Sequence, residues 1–264
     1  HPALAASWRR TGAGLAVALV GTAALEARMG GGGVDATDSH APTQRTLPLA
    51  AFWLAMAHAD AYVHLGLNNR TRGAPLFASI GAPTTLTLAR RGIAGLLWGH
   101  LLARRPASRG YLALALAAAL ATDIADGAVA RAQARTTWLG GYLDGLADFE
   151  FWTALALTFG ARRLLPRWLL LLLLARWLGP LAVAYAAYFG KVSRVPLNST
   201  ALGKISGGAQ AATLAVALLP DATQKRIAPL RGPLHAATAL LLVAAPLAHL
   251  WKLRDGTHTI QSRR

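Results

Sequence analysis

Carboxylates that could bind a metal ion are concentrated in one short part of the sequence. The whole chain has 11 acidic residues, and segment 123–150 contains Asp123, Asp126, Asp144, Asp148 and Glu150. Asp123 and Asp126 are three residues apart, and Asp144 and Asp148 are four apart, so each pair shares one face of a helix. A short turn joins the two helices, which therefore run antiparallel and bring four carboxylates toward one point. Carboxylates so close together repel one another. Divalent ions that prefer oxygen ligands, Mg²⁺ or Mn²⁺, relieve that repulsion.

Small residues and one arginine accompany the carboxylates. Gly127 follows the second aspartate, and Gly140 lies one turn before the third. Glycine inside a helix costs about 1 kcal/mol relative to alanine, and close approach of a ligand to the backbone is one reason to keep it. Ala130 also has a small side chain that would not block such an approach, and Arg131 supplies a cation suited to phosphate. Together these residues predict a site for a nucleotide that carries a pyrophosphate.

The elements that position this cluster are long apolar helices. Hydrophobic residues make up 54% of the chain and charged residues 14%, whereas charged residues are about a quarter of an ordinary soluble domain. Several apolar windows reach the roughly 20 residues that a bilayer-spanning helix needs. We therefore expect an all-α integral membrane protein with six transmembrane helices, at about 84–102, 109–131, 139–160, 164–189, 200–219 and 233–252.

Residues before the six helices form an N-terminal extension. Segment 11–27 is typical of either a signal-peptide core or a weak first span. The Gly-rich, polar segment 29–47 predicts a linker, and the interrupted apolar pattern of 48–67 predicts an interfacial amphipathic helix or a poor span. The predicted organisation is an extension at 1–79, a six-helix domain at 80–254 and a polar, basic tail at 255–264.

Charge and cysteine content exclude some other classes of site. The chain has no cysteine, so it can form neither a disulfide nor a thiolate metal site. The formal net charge is +16, but the basic residues lie mostly in short clusters between apolar blocks. Cations at helix ends that anchor in lipid headgroups explain this pattern better than nucleic-acid binding does.

The aspartates, glycines and arginine follow a pattern known from one enzyme family. Residues 123–131 read DIADGAVAR, and residues 140–148 read GGYLDGLAD after a spacer of eight residues, with Gly140 at the head of the second motif. This pattern resembles the signature of the CDP-alcohol phosphotransferase (CDP-alcohol phosphatidyltransferase) family, D-x-x-D-G-x-x-A-R followed by G-x-x-x-D-x-x-x-D. Softer likenesses to phosphatidylglycerophosphate synthases are PTTLTLAR at 83–90 and the Gly203-Lys204 pair followed by Gln210. Gly145 and Phe149 depart from those synthases.

The resemblance implies a role for each residue of the pattern. The metal ligands, for one or two Mg²⁺ or Mn²⁺ ions, would be Asp123, Asp126, Asp144 and Asp148, with Asp148 also the catalytic base. The nucleotide-binding residues would be Gly127, Ala130, Arg131, Gly140 and Thr87. An acceptor that carries a phosphate would be bound by Arg176, Lys204, Arg194 and Arg90. The resemblance further implies a homodimer in the membrane, which we expect to be a bacterial-type cell membrane with the site facing the cytoplasm.

The expected reaction is transfer of a phosphatidyl group from CDP-diacylglycerol to an alcohol acceptor with release of CMP. The acceptor stays open, and so does the choice between a lipid donor and a soluble CDP-alcohol. A UbiA-like prenyltransferase is one alternative, but it needs a second Asp-rich motif, and only the isolated Asp221 and Asp255 follow Glu150. A divalent-metal transporter is the non-enzymatic alternative, and it would leave the glycines and Arg131 without a role.

Overall fold

The structure is a computed structural model that describes residues 2–30, 41–71, 73–104, 107–189 and 201–261. Within these ranges the chain is all-helical. The helices are α1 (Pro2–Gly30), α2 (Ala41–Val63), α3 (Ala82–Leu102), α4 (Arg109–Ala132), α5 (Trp138–Ala161), α6 (Arg167–Phe189), α7 (Ala201–Leu218), α8 (Asp221–Arg226) and α9 (Ala228–Gln261). They form two compact units, His1–Ala161 and Arg162–Arg264.

The first unit is built around α3, which packs against α2, α4 and α5. Glycines on α3 allow α2 to approach closely. A Cβ atom added to Gly95 would lie 3.3 Å from the carbonyl oxygen of Ala50, and one added to Gly99 would lie 2.7 Å from that of Thr46. Small residues at this spacing are a common means of close helix contact. The extension is therefore packed onto the helix that begins the predicted six-helix domain.

Local sequence sets where the helices of the site begin. Gly81 adopts φ 85° just before α3, a conformation that favours glycine. Ser108 caps α4 by accepting a hydrogen bond from the Tyr111 N–H at 3.1 Å. Thr137 caps α5 by accepting one from the Gly140 N–H at 2.9 Å. Because α4 ends at Ala132 and α5 begins at Trp138, only a short connection separates the end of α4 from the start of α5.

The second unit packs α9 against both α6 and α7. The Arg176 guanidinium of α6 donates to the Ser206 hydroxyl and, at 3.1 Å, to the carbonyl oxygen of Gly203 on α7. Thr213 on α7 and Thr238 on α9 share a hydrogen bond of 2.8 Å. Buried hydroxyls and one arginine thus join the helices inside this unit.

The predicted helices match the observed ones closely from α3 to α7, and the differences lie nearer the ends of the chain. Segment 29–47 is helical from Ala41 onward instead of forming a linker throughout, since Pro42 falls in the first turn, where proline is tolerated. The last helix continues past the predicted limits, to Gln261, with Pro233 and Pro246 inside it. Among the described residues, two stretches are long and apolar enough to cross a membrane, Arg109–Ala132 and Ala228–Ala248.

Candidate active site

The four aspartates come from the end of α4 and the beginning of α5. Carboxylate oxygens of Asp123, Asp126 and Asp144 lie within 4.8 Å of one another. Asp148 lies one helical turn beyond Asp144 and faces the same guanidinium, at 3.5 Å. The spacing argument thus predicted which carboxylates meet.

Arg90 of α3 lies among these carboxylates. Its guanidinium forms ion pairs with Asp123 and Asp144, and it lies 3.3 Å from Asp126 and 3.5 Å from Asp148. The Arg90 side chain is 2% exposed, whereas that of Asp123 is 50% exposed. The cluster is therefore closed by a buried cation on one side and open to its surroundings on the other.

Arg90 was predicted to bind an acceptor phosphate, and in the structure its guanidinium contacts the carboxylates. Only its position at the end of the PTTLTLAR segment connected it with the site in the sequence. Nothing in its spacing predicted contact with all four aspartates, because that contact depends on how α3 packs against α4 and α5.

Asp126 is the most enclosed of the four aspartates. Its side chain is 11% exposed, and its Oδ2 atom accepts a hydrogen bond of 3.1 Å from the Thr87 hydroxyl. Thr87 was predicted to bind nucleotide, and in the structure its hydroxyl contacts Asp126. A fixed carboxylate at the base of the cluster is a suitable ligand for an ion.

Residues with small side chains lie next to the carboxylates on α4 and α5. A Cβ atom on Gly127 would lie 3.2 Å from Nη1 of Arg131, so the exposed Arg131 guanidinium extends along this glycine. A Cβ atom on Gly140 would lie 3.2 Å from the Thr137 hydroxyl oxygen. Ala130 lies half-buried on the same helix. A larger side chain at either glycine would therefore contact a neighbouring polar group.

Comparison with known proteins identifies the family. A family model described as CDP-alcohol phosphatidyltransferase matches residues 80–250. The chain belongs to the CDP-alcohol phosphatidyltransferase family. No curated protein and no solved structure gives a significant match. The family is one of transferases, so the resemblance carried by the DIADGAVAR motif is confirmed.

A CDP-alcohol phosphatidyltransferase uses divalent metal, and the donor set found here fits one. Four carboxylates surround one guanidinium, which leaves an excess of three negative charges when all are ionised. Oxygen ligands of this kind suit Mg²⁺ and Mn²⁺. The family is also membrane-associated, in agreement with the two apolar stretches.

The other predicted acceptor residues belong to the second unit of this transferase. Arg176 is half-buried and held by Ser206 and Gly203. Lys204 is exposed at the beginning of α7. Arg194 lies outside the described residues. Arg176 thus contacts the first turn of α7 through Gly203, and Lys204 lies in the same turn.

Proposed function

We propose that this transferase moves a phosphatidyl group from CDP-diacylglycerol to an alcohol acceptor, releases CMP and depends on Mg²⁺ or Mn²⁺. The observation that carries the proposal is the convergence of three carboxylates within 4.8 Å beside a surface of small residues. Carboxylates alone would suit a metal transporter equally well. The adjacent glycines and Arg131 favour a nucleotide pyrophosphate, and the family match favours a transferase over both the transporter and a prenyltransferase.

The proposed donor site follows from the surface beside the carboxylates. Asp123, Asp126, Asp144 and Asp148 would hold one or two divalent ions, which when bound neutralise charge on the donor's pyrophosphate. Gly127, Ala130 and Gly140 would line the cytidine pocket, where a larger side chain would block close approach to the backbone. Arg131 would donate to a phosphate oxygen. Thr87 would hold Asp126 in place through the 3.1 Å hydrogen bond.

In the proposed reaction, Asp148 acts as the general base. Its carboxylate takes the proton of the acceptor hydroxyl, and the acceptor oxygen forms a new bond to the β-phosphorus of the donor. The bond from that phosphorus to the bridging pyrophosphate oxygen breaks, and CMP leaves with the electron pair. Asp148 is 29% exposed, less than Asp123 and Asp144 but still open to a substrate. A partly exposed carboxylate one turn from the metal ligand Asp144 suits this role.

We propose that the acceptor carries a phosphate bound by Arg176 and Lys204. The guanidinium of Arg176 lies inside an apolar helix, where an ionised group is costly unless it has a partner or a function. Ser206 and the Gly203 carbonyl hold it in one orientation. Lys204 adds an exposed cation at the same helix start. A phosphate offers an anion to both.

The proposal extends to the membrane. Six spans would place the aspartates near the bilayer surface, because they lie at the end of α4 and the beginning of α5. A lipid donor could keep its acyl chains in the bilayer there, while a polar acceptor arrives from water. We propose a homodimer in a bacterial-type cell membrane, with this surface facing the cytoplasm.

The test is release of CMP from purified protein supplied with CDP-diacylglycerol, Mn²⁺ or Mg²⁺ and a panel of alcohol acceptors. We expect release that requires metal and is stimulated by one acceptor, which then names the product. Release with a soluble CDP-alcohol alone would change the donor class. Absence of release with every donor, from folded protein that binds Mn²⁺, would contradict the enzymatic proposal.

A further inference from the structure

A second charged cluster lies beside the aspartates and joins three helices. We call it the Arg91 cluster: Asp60 of α2, Arg91 of α3 and Glu150 of α5. Arg91 donates to both carboxylate oxygens of Glu150, from Nε at 2.9 Å and from Nη2 at 2.6 Å. Its Nη1 atom donates to Asp60 at 2.8 Å. Each of the three helices thus contributes one charge to a single set of contacts.

Other side chains also contact the carboxylates of the Arg91 cluster, among them His64, whose Nδ1 atom lies 3.2 Å from Oδ1 of Asp60. The indole N–H of Trp53 donates to Glu150 at 3.2 Å, and the Tyr142 hydroxyl donates to Asp60 at 3.0 Å. Arg91 is 4% exposed and Glu150 is 8% exposed. A buried arginine with a forked contact to one carboxylate and a bond to another has a fixed orientation.

Stability alone does not account for three charges in this position. Removing charges from water is costly, and apolar side chains of similar volume often stabilise a fold as well or better. The best-attested benefit of such a cluster is that it fixes one arrangement of the helices. For the Arg91 cluster, that arrangement is the rotation of α3 and α5 about their own axes.

The rotation of α3 and α5 affects the aspartate site, because both clusters have residues on these two helices. Arg90 and Arg91 are consecutive on α3, and an α-helix turns by about 100° per residue. Holding Arg91 between α2 and α5 therefore fixes the rotation of α3 that directs Arg90 to the four aspartates. On α5, Glu150 comes two residues after Asp148, so the same contacts fix the rotation of α5.

The contribution of α2 comes from outside the family domain. Asp60 precedes the residues that the family model matches, 80–250. We infer that Asp60, Arg91 and Glu150 are positioning residues for the transfer site. Helix α2 of the N-terminal extension is then required for full transfer activity. The inference rests on the proposed function and explains why an extension is packed onto α3.

The test compares two substitutions on α2 in the full chain. Asp60→Asn removes the charge that holds Arg91 but leaves the apolar contacts of α2 intact. Leu54→Ala is the matched control, because Leu54 is buried on the same helix, lies against Gly92 of α3 and carries no charge. Both are assayed for CMP release per mole of folded protein, for the KM of CDP-diacylglycerol and for thermal unfolding.

We expect Asp60→Asn to lower kcat by about tenfold or more with KM changed by less than about threefold, since small misplacements of reacting groups carry losses of this size. Leu54→Ala should keep kcat within about twofold even where it lowers the unfolding temperature more. Asp60→Glu should recover part of the loss because it restores the charge. Equal kcat values for Asp60→Asn and Leu54→Ala would overturn the inference. If Asp60→Asn does not fold, Arg91→Lys replaces it, because lysine keeps the charge but loses the forked contact.

Binding of Mn²⁺, followed by electron paramagnetic resonance, separates failure of this inference from failure of the proposed function. If the unaltered protein binds Mn²⁺ but releases no CMP, the proposed function fails. The inference then predicts that Asp60→Asn changes Mn²⁺ affinity several-fold and Leu54→Ala does not. Unchanged affinity in Asp60→Asn would overturn it, and so would absence of Mn²⁺ binding and of CMP release in the unaltered protein.

Discussion

At the scale of single residues, the site is defined by an excess of negative charge. Four carboxylates face one guanidinium, and the most enclosed of them, Asp126, also accepts from Thr87. Such an arrangement favours any cation that enters, whether a metal ion or a basic ligand. The exposed carboxylates of Asp123 and Asp144 provide the entrance. The roles of individual residues can be separated by substitutions that change charge and little else.

Asp148 is the residue whose loss should remove turnover and leave the fold intact. Asp148→Asn keeps the shape of the side chain but cannot take the acceptor's proton. General-base catalysis typically contributes 10²–10⁴-fold, so we expect CMP release to fall by at least about 100-fold with little change in unfolding temperature. Asp221→Asn, an exposed acidic residue on α8, is the control. Near-normal turnover by folded Asp148→Asn would show that another group takes the proton.

Arg90 should matter most to stability when metal is removed. Arg90→Met leaves four carboxylates facing one another without their buried cation, and removing one partner of an ion pair while its charged neighbours remain is destabilising. We expect this variant to unfold at lower temperature in EDTA than the control Arg167→Met, which changes an exposed arginine. Saturating Mn²⁺ should raise its unfolding temperature more than that of the unaltered protein. Equal stability of the two variants in EDTA would contradict the ion pairs seen here.

At this scale the sequence predicted the aspartates, but it did not predict the contacts that Arg90 and Arg91 make with acidic residues. Spacings of three and four residues identify a shared helix face, which is why the convergence of Asp126 and Asp144 could be predicted. Arg90 and Arg91 have no such spacing signal, because their partners lie on other helices. Their contacts depend on the packing of α3, which a single sequence does not reveal.

At the scale of elements, α3 is the helix on which the rest of the first unit depends. Its glycines allow α2 to pack closely against one side. Arg90 forms an ion pair with Asp123 of α4, and Arg91 forms one with Glu150 of α5. The extents of α3 to α7 follow from the lengths of the apolar blocks and the short polar connections between them, so the sequence predicted them within a few residues. The extension was predicted less well, because the polar composition of 29–47 concealed a helix that begins at Ala41.

The contact between α2 and α3 can be tested with two glycines of the same helix. A Cβ atom on Gly99 would lie 2.7 Å from the Thr46 carbonyl oxygen, which cannot move without displacing α2, whereas one on Gly92 would lie 3.7 Å from Leu54 Cδ1. Gly99→Ala should therefore destabilise the protein by about 1–3 kcal/mol through overpacking. Gly92→Ala should be neutral or slightly stabilising, since alanine favours helix by up to about 1 kcal/mol.

Thermal unfolding and the rate of proteolysis within α2 measure this pair of variants. A lower unfolding temperature and faster cleavage in Gly99→Ala alone would support the close approach. Equal behaviour of the two alanine variants would mean that α2 does not lie as close to α3 as the structure has it.

At the scale of the whole molecule, family membership and membrane arrangement rest on different grounds. The family follows from the signature motif and the match over residues 80–250. The six spans stay a prediction, since among the described residues two stretches meet the length and hydropathy of a span. Polar and charged side chains of the site interrupt the apolar pattern of α3 and α5. They lower the mean hydropathy of these helices, so hydropathy alone does not identify them as spans.

The absence of cysteine makes the arrangement across the membrane directly measurable. Leu102→Cys and Gln133→Cys place single thiols at exposed positions near the two ends of α4. This helix has 24 residues, or about 36 Å at 1.5 Å per residue, against about 30 Å for the hydrocarbon core. If α4 spans the bilayer, a membrane-impermeant maleimide should label the two thiols from opposite sides.

The orientation of the site follows from the same experiment. With the aspartates facing the cytoplasm, Gln133→Cys should react in inverted vesicles and Leu102→Cys in intact spheroplasts, because Gln133 follows the end of α4 that carries Asp126. The reverse pattern would keep α4 as a span and place the site on the outer face, where cytosolic CDP-diacylglycerol headgroups and acceptors could not reach it. Labelling of both thiols from one side would show that α4 does not cross, and the six-span arrangement would then be wrong.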